Sequence, residues 1–217
     1  MDTIFPKSQH MDDLIIVDNA LSESESTHLE NILTSDAFPY HEGMDIDPHR
    51  FASPEECPDI IVSSTAVTTP QLFHVCHNRD NPNNSLYDPY ACELSAKILQ
   101  KVCINQAVFK RIKFNKLLPN VKLSSRHHNV PHVDAREGMS IVYFVNDSDG
   151  DTVIFNQKYT GEVQRDVTVR HRIAPAKGRA VIFKSDVFHC SSNPIVSDFR
   201  IVMNVTFSMS ENGKVLP

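Results

Sequence analysis

Residues 140–155, SIVYFVNDSDGDTVIF, place two short runs of β-branched and aromatic residues on either side of a turn. The runs 140–145 and 152–155 have the composition of strands. The residues between them are Asn, Asp, Ser and Gly, which favour turns over continuous structure. This stretch therefore predicts a strand, a turn and a second strand.

The same pattern of short β-rich runs separated by turn residues continues on both sides of this unit, from about residue 107 to residue 208. The seven candidate strands are residues 108–114, 130–134, 140–145, 152–155, 167–173, 179–183 and 199–208. No helix of useful length separates them, which excludes alternating strand–helix units. An antiparallel jelly roll leaves few unpaired strand edges, so it is the fold that this pattern favours. The predicted fold class is mainly β with flanking helices.

The first half of the chain supplies those helices. Residues 14–17 (LIIV) predict a short buried strand, and Ser22 with Glu25 three positions later has capping-box spacing for a helix over residues 21–33. A second helix is predicted after Asp88-Pro89, with Asp88 as its N-cap, because apolar residues then recur every three or four positions. Residues 38–87 are rich in Pro, Asp and Asn, so they predict long loops with at most short strands.

Length and composition favour one domain with a substantial core. The chain has 217 residues, 41% of them hydrophobic and 22% charged, as in soluble globular proteins. We expect residues 1–217 to form a single domain, with residues 1–106 as a supporting part and residues 107–210 as the β core. The longest unbroken apolar run, residues 141–145, is far below the roughly 20 residues needed to span a bilayer. No membrane partner is expected.

Charge and cysteine usage add two expectations. Residues 1–60 hold 14 acidic and 2 basic side chains, whereas residues 61–217 hold 13 acidic and 19 basic ones. The later part is therefore basic, which suits an anionic ligand. No nucleic-acid-binding module with interleaved aromatics accompanies the basic run over residues 110–126, so nucleic acid is not the favoured partner. The five cysteines are scattered without a Cys-x-x-Cys pair. Together with the absence of an apolar leader segment in residues 1–13, they predict reduced thiols and a cytoplasmic location.

Candidate chemistry begins with Pro131-His132-Val133-Asp134. If this segment is a strand, the imidazole of His132 and the carboxylate of Asp134 point to the same face. His189 follows a later predicted strand and could approach the pair in a rolled sheet. Two histidines and one carboxylate form a facial triad, which leaves open positions on a non-haem Fe(II) ion. His-x-Asp alone is a weak signal.

Arg200 opens the last long predicted strand, where it shares a face with Asn204. A guanidinium on the inner face of a barrel needs an anion, and its planar fork suits a carboxylate. His74, Cys76 and His77 also suggest zinc. However, no second ligand pair with suitable spacing follows them, so a zinc site is not predicted there.

These ordered motifs resemble the Fe(II)/2-oxoglutarate-dependent oxygenases, in particular the prolyl-4-hydroxylase-like branch of the phage and marine bacterial type. The motifs are HVD at residues 132–134, SIVYFVNDSDGDTVIF, KGRAVIF, His189, SSNP and Arg200, and they cover about half of the chain. The resemblance implies a double-stranded β-helix (jelly roll, cupin-like) in which His132, Asp134 and His189 hold iron. It also implies that Arg200 pairs with the distal carboxylate of 2-oxoglutarate and that Asn204 lies on the co-substrate side. Tyr143 is a further candidate co-substrate contact. Phe144, which faces the opposite side of the strand, better matches the position of the tyrosine in the family.

The implied cofactors are Fe(II), 2-oxoglutarate as co-substrate and O₂, with ascorbate as a candidate reductant. Halogenating relatives replace the aspartate of His-x-Asp with a small residue, so Asp134 favours hydroxylation. Peptidyl proline in a peptide or protein is the leading substrate. A free amino acid, another small metabolite or a nucleic-acid base stays open, as does a non-enzymatic jelly-roll binding or virion-associated module. The resemblance indicates neither an oligomeric state nor a pathway.

Overall fold

The structure is a computed structural model, and it describes residues 14–44, 66–67, 69–81, 85–124, 126–162, 166–211 and 214–215. Two helices and thirteen strands follow one another in these ranges. In chain order they are β1 (Leu14–Val17), α1 (Glu23–Thr34), β2 (His41–Met44), β3 (Ala66–Val67), β4 (Pro70–Asn78), α2 (Asp88–Lys101), β5 (Ala107–Leu117), β6 (His128–Asn129), β7 (Met139–Phe144), β8 (Thr152–Lys158), β9 (Val169–Ile173), β10 (Ala180–Lys184), β11 (Val187–Ser191), β12 (Arg200–Glu211) and β13 (Lys214–Val215).

A large antiparallel sheet forms the frame of the molecule. Its strand order is β1-β10-β7-β12-β5-β4-β2, with β13 paired to β12. A smaller antiparallel sheet has the order β11-β8-β9, and the two-residue strands β3 and β6 pair in parallel. The two antiparallel sheets form the predicted jelly roll, since apolar side chains of both pack against one another.

Alternation along β7 shows how the large sheet is buried on both faces. Ile141 and Tyr143 belong to a hydrophobic cluster that also contains Leu29 of α1 and Leu94 of α2. Val142, on the other face, packs instead with residues of β8, β9 and β11. Successive side chains of a strand point to opposite faces. The helices therefore cover one face of the large sheet, and the small sheet covers the other.

Both helices occur where the sequence predicts them. Ser22 caps α1 in a complete capping box: its Oγ accepts from the Glu25 backbone N–H, while the Glu25 carboxylate accepts from the Ser22 backbone N–H. The prediction that Asp88 caps α2 is wrong by one position. Asp88 is the first helical residue, and Tyr87 is an N-cap without a side-chain cap bond. Neither helix has the length and apolar character to cross a membrane.

Six of the seven candidate strands are confirmed with small shifts of their ends. The seventh, residues 130–134, is wrong as a strand: only His132 makes a bridge, to His189. Pro131 has no N–H to donate, so regular pairing cannot run through this segment. The loop prediction for residues 38–87 is also corrected, because β4 is a nine-residue strand inserted between β2 and β5. Residues 45–65 lie outside the described residues.

Candidate metal centre

Two histidines and one aspartate that are distant in sequence lie side by side. His132 and His189 form an antiparallel bridge in which the backbone N–H of each donates to the carbonyl of the other, both at 2.9 Å. The Asp134 backbone N–H donates to the Ser185 carbonyl at 3.1 Å. One ligating atom from each of His132, Asp134 and His189 lies within 4.8 Å of the others. Backbone bonds therefore hold three metal-binding side chains around one point.

The two imidazoles are oriented by backbone carbonyls. His132 Nδ1 lies 3.0 Å from the Val130 carbonyl, and His189 Nδ1 lies 3.0 Å from the Val187 carbonyl. A carbonyl can only accept, so each Nδ1 carries a proton, and Nε2 is the atom of each ring that binds a metal once it has no proton of its own. Metal-bound histidines are held in this way by an outer hydrogen bond. The donor set thus fits a divalent transition metal such as Fe(II).

Asp134 is an anion fixed by three neighbours. Its Oδ2 lies 3.4 Å from His189 Nε2 and accepts from Ser140 Oγ at 2.7 Å, while Arg111 Nη2 is 3.3 Å from Oδ1. Burial alone would raise the pKa of this carboxyl. The positive charge that His189, His132 and Arg111 can provide outweighs burial and holds the pKa well below its usual range. Asp134 is therefore ionised, as a metal ligand must be.

Arg200 is a buried cation at the start of β12, with 3% of its surface exposed. Its Nε donates to the Gly150 carbonyl at 2.7 Å, and its Nη2 donates to Thr152 Oγ1 at 2.7 Å. The guanidinium carbon lies 5.5 Å from the centre of the Phe144 ring. These contacts fix the plane of the guanidinium, and a fixed plane favours bidentate binding of a carboxylate.

One pocket joins the two histidines to Arg200. Its lining combines polar side chains from both sheets with a few apolar ones: Gln71, Asn115, Leu117, His132, Val142, Thr152, His189, Cys190, Ser191, Arg200 and Asn204. Within the described part of the chain, Asn115 Oδ1 is buried without a hydrogen-bond partner. Asn115 Oδ1 is therefore an acceptor that a polar molecule in the pocket can use. The pocket is therefore suited to a small polar molecule with a carboxylate at the Arg200 end.

The structure brings together five of the six residues that the sequence singles out. His132, His189, Arg200 and Asn204 line the pocket, and Asp134 contacts His189. Tyr143 is the exception, and its prediction as a co-substrate contact is corrected. Its side chain points to the helix-covered face of the sheet, where its hydroxyl lies 2.8 Å from Ser26 Oγ.

Sequence patterns alone did not identify the polar side chains that complete the site. Asn115 and Gln71 come from β5 and β4, and Ser140 and Arg111 hold the Asp134 carboxylate. The available signal is the alternation of β5, in which Arg111, Lys113 and Asn115 share one parity while Ile112 and Phe114 share the other. A row of polar residues along one face of a strand that is paired on both sides indicates a polar pocket on that face.

Tyr143→Phe tests the orientation of β7. We expect the apparent affinity for 2-oxoglutarate to stay unchanged, because the hydroxyl is on the far side of the sheet. Loss of the Ser26 hydrogen bond should lower the free energy of unfolding by about 0.5–1.5 kcal/mol. Denaturant unfolding and a 2-oxoglutarate titration measure the two effects. A clear change in affinity with unchanged stability would contradict this placement.

Gly150→Ala tests how Arg200 is held. A Cβ at position 150 would lie 2.5 Å from the Ser192 carbonyl oxygen and 3.0 Å from Arg200 Cδ. Overpacking of this kind costs about 1–3 kcal/mol, and here it also pushes on the guanidinium. We expect at least about a tenfold weaker apparent affinity for 2-oxoglutarate, since loss of a fixed charged contact exceeds about 1.4 kcal/mol.

The control for this variant is Gly161→Ala. Gly161 has a φ of +85°, and among the described residues no atom lies within 4 Å of the place that a Cβ would take. Alanine therefore adds backbone strain there without touching the pocket, and it should leave the affinity for 2-oxoglutarate unchanged. Equal affinities for the wild type and Gly150→Ala would show that the chain relaxes around the new methyl group.

Comparison with known proteins gives no match to any protein-family model and no match to a curated protein. Solved structures do match. A 2OG-Fe(II) oxygenase family protein from Burkholderia pseudomallei is 13% identical with a TM-score of 0.61, covering 93% of this chain and 89% of that one. The epimerase SnoN from nogalamycin biosynthesis, in complex with Fe3+, alpha ketoglutarate and nogalamycin RO, is 10% identical with a TM-score of 0.56, covering 93% and 83%.

A third structure is a prolyl hydroxylase from Trichoplax adhaerens in complex with a peptide fragment of the hypoxia inducible factor oxygen degradation domain. It is 12% identical with a TM-score of 0.53, covering 91% of this chain and 84% of that one. At such low identity the likeness concerns the path of the backbone. The chain has the jelly-roll fold of the 2-oxoglutarate/Fe(II) oxygenases.

Proposed function

We propose that the chain is an Fe(II)- and 2-oxoglutarate-dependent dioxygenase that hydroxylates an unactivated C–H bond. The observation that carries this proposal is the meeting of His132, Asp134 and His189 at one end of a pocket that also contains the guanidinium of Arg200. A metal-binding triad and a carboxylate-binding cation in one pocket match the two ends of a chelating 2-oxo acid. The oxygenase fold of the solved neighbours supports the same chemistry.

Each residue of the site has a defined role in this proposal. His132 Nε2, His189 Nε2 and the Asp134 carboxylate would hold Fe(II), and Arg200 would bind the distal carboxylate of 2-oxoglutarate. Asn204 and Thr152 line the space between these ends. The iron, 2-oxoglutarate and O₂ supply the oxidising chemistry when they are bound. The chain itself orients the co-substrate, neutralises its charge and keeps Asp134 ionised.

The proposed substrate is a peptide or protein, with peptidyl proline as the leading candidate. Support comes from the Trichoplax adhaerens prolyl hydroxylase, which has this fold and binds a peptide. A small-molecule substrate is the alternative, because SnoN shares the fold and holds nogalamycin RO.

We also propose a cytoplasmic location. The four cysteines in the described part of the chain are not joined in disulfides, which suits a reducing compartment.

The test is a co-substrate-coupled screen. Purified protein is incubated with Fe(II), 2-oxoglutarate and ascorbate against panels of proline peptides, free amino acids and oligonucleotides. We expect release of succinate that requires Fe(II), and a mass gain of one oxygen in one panel. Oxidation confined to amino acids or oligonucleotides would refute the peptide assignment. If neither uncoupled turnover nor anaerobic metal binding is found, the chain is instead a non-enzymatic jelly-roll module.

A further inference from the structure

A second group of metal-ligating side chains lies between β4 and the start of α2. It consists of His77, Asp88 and Cys92, which we call the His77–Asp88–Cys92 cluster. His77 Nδ1 lies 2.8 Å from Asp88 Oδ1, and Cys92 Sγ lies 3.2 Å from the same oxygen. One ligating atom from each of the three residues lies within 4.8 Å of the others. All three residues are partly buried.

A local irregularity of the sheet creates this arrangement. The pairing of β4 with β5 shifts its register between Val75 and His77, and such a bulge redirects a side chain. Asp88 and Cys92 are four residues apart on α2, so they lie one above the other on the same helix face. The bulge thus brings a strand imidazole against a carboxylate and a thiol that share one helical face.

We propose that the His77–Asp88–Cys92 cluster is a second metal site, one that binds a thiophilic divalent ion of the Zn(II) class. Zinc in proteins takes sulfur at about 2.3 Å and nitrogen or carboxylate oxygen at about 2.0–2.2 Å, which places tetrahedral ligand atoms about 3.3–3.7 Å apart. The two separations from Asp88 Oδ1, 2.8 Å to the imidazole and 3.2 Å to the thiol, would each widen by about 0.3–0.7 Å to reach that spacing. Water would complete the tetrahedron.

The proton balance of this site is simple. Without metal the Cys92 thiol donates to Asp88, and burial together with that carboxylate raises the pKa of the thiol to about 12. A bound cation takes the place of this proton: the thiolate binds the metal, and one proton is released to solvent. In the metal-free cluster His77 Nδ1 donates to the Asp88 carboxylate at 2.8 Å, so metal binding through Nδ1 also moves this proton from Nδ1 to Nε2 of the same ring.

The two proposed ligand sets differ chemically, because the cluster includes the Cys92 thiol whereas the triad of His132, Asp134 and His189 has no sulfur ligand. Co(II) distinguishes the two directly, since thiolate-bound Co(II) has an intense charge-transfer absorption in the near ultraviolet that nitrogen and oxygen ligands do not produce. We therefore expect metal-free full-length protein to develop this absorption on titration with Co(II). It should reach its plateau at one equivalent in the Asp134→Ala variant, in which the triad is broken.

Three variants complete the experiment. Cys92→Ser and His77→Gln should each remove the charge-transfer absorption and weaken Co(II) binding at this site by at least about a hundredfold. Cys103→Ser, at an exposed thiol just after α2, is the matched control and should keep the absorption. Circular dichroism verifies that each variant is folded. No absorption in the wild type, or its survival in folded Cys92→Ser, would show that the cluster only anchors the strand to the helix. Either result is independent of 2-oxoglutarate turnover.

Discussion

Asp134→Ala is expected to abolish iron-dependent turnover of 2-oxoglutarate. The change removes the only carboxylate of the triad and leaves the Arg111 guanidinium, now 3.3 Å from Asp134 Oδ1, facing the metal position without its counter-charge. Changes to residues that merely support metal ligands cost about 10- to 100-fold in affinity or activity. The missing ligand and the remaining positive charge should therefore together lower Fe(II) affinity and turnover by more than about a hundredfold. Anaerobic Fe(II) titration and succinate release measure binding and turnover.

The control is Asp36→Ala, which removes an exposed carboxylate in the turn after α1. It should bind Fe(II) and turn over 2-oxoglutarate like the wild type. His132→Ala should reproduce the loss through a different ligand type, which separates the absence of a ligand from the change in charge. Fe(II) affinity in Asp134→Ala within a few-fold of the wild type would remove the triad from the proposed function.

Arg200→Ala is expected to raise the 2-oxoglutarate requirement while leaving iron binding nearly intact. Truncating one partner of a buried charge pair costs about 2–5 kcal/mol, which is roughly a 30- to 5,000-fold change in the apparent affinity. Arg200 bonds to Gly150 and Thr152, whereas the histidine ligands are held by their own backbone bridge. Iron affinity measured without co-substrate should therefore change by less than about threefold.

Arg200→Lys gives the matched comparison, because lysine keeps the charge and loses the planar fork. We expect its apparent affinity for 2-oxoglutarate to fall between those of Arg200→Ala and the wild type. Thermal unfolding is measured in parallel, since the guanidinium also bonds to Gly150 and Thr152. Parallel losses of iron and 2-oxoglutarate affinity in Arg200→Ala would mean that this residue supports the whole site and does not recognise the co-substrate.

The strands and helices with regular patterns could be predicted from the sequence, and the three residues that the family resemblance implies as iron ligands do lie together. The His-x-Asp spacing identifies His132 and Asp134, yet alternation along a strand does not explain why they converge. The bridge to His189 and the Asp134 bond to Ser185 bring them together instead. The identity of a ligand is a local property, whereas its orientation depends on distant backbone.

Tyr143 and β4 are two further features that the sequence does not determine. The sequence shows that Tyr143 and Phe144 face opposite ways, but it does not show which face the helices will cover. β4 has an uneven polarity because its residues contact β2, β5 and α2 in turn, and its bulge breaks the alternation. His74, Cys76 and His77 of this strand do not have the spacing of a zinc motif. The other two proposed ligands of the second metal site, Asp88 and Cys92, come from a helix instead.

The large sheet takes three of its seven main-path strands, β1, β4 and β2, from the chain before residue 107. A fragment starting at Ala107 would keep every proposed iron ligand and Arg200. It would, however, expose the hydrogen-bonding edges of β5 and β10 and uncover the apolar face beneath α1 and α2. Expression trials that trim the protein to its motif-bearing half should therefore yield insoluble material, and deletion mapping of activity would mistake lost folding for lost chemistry.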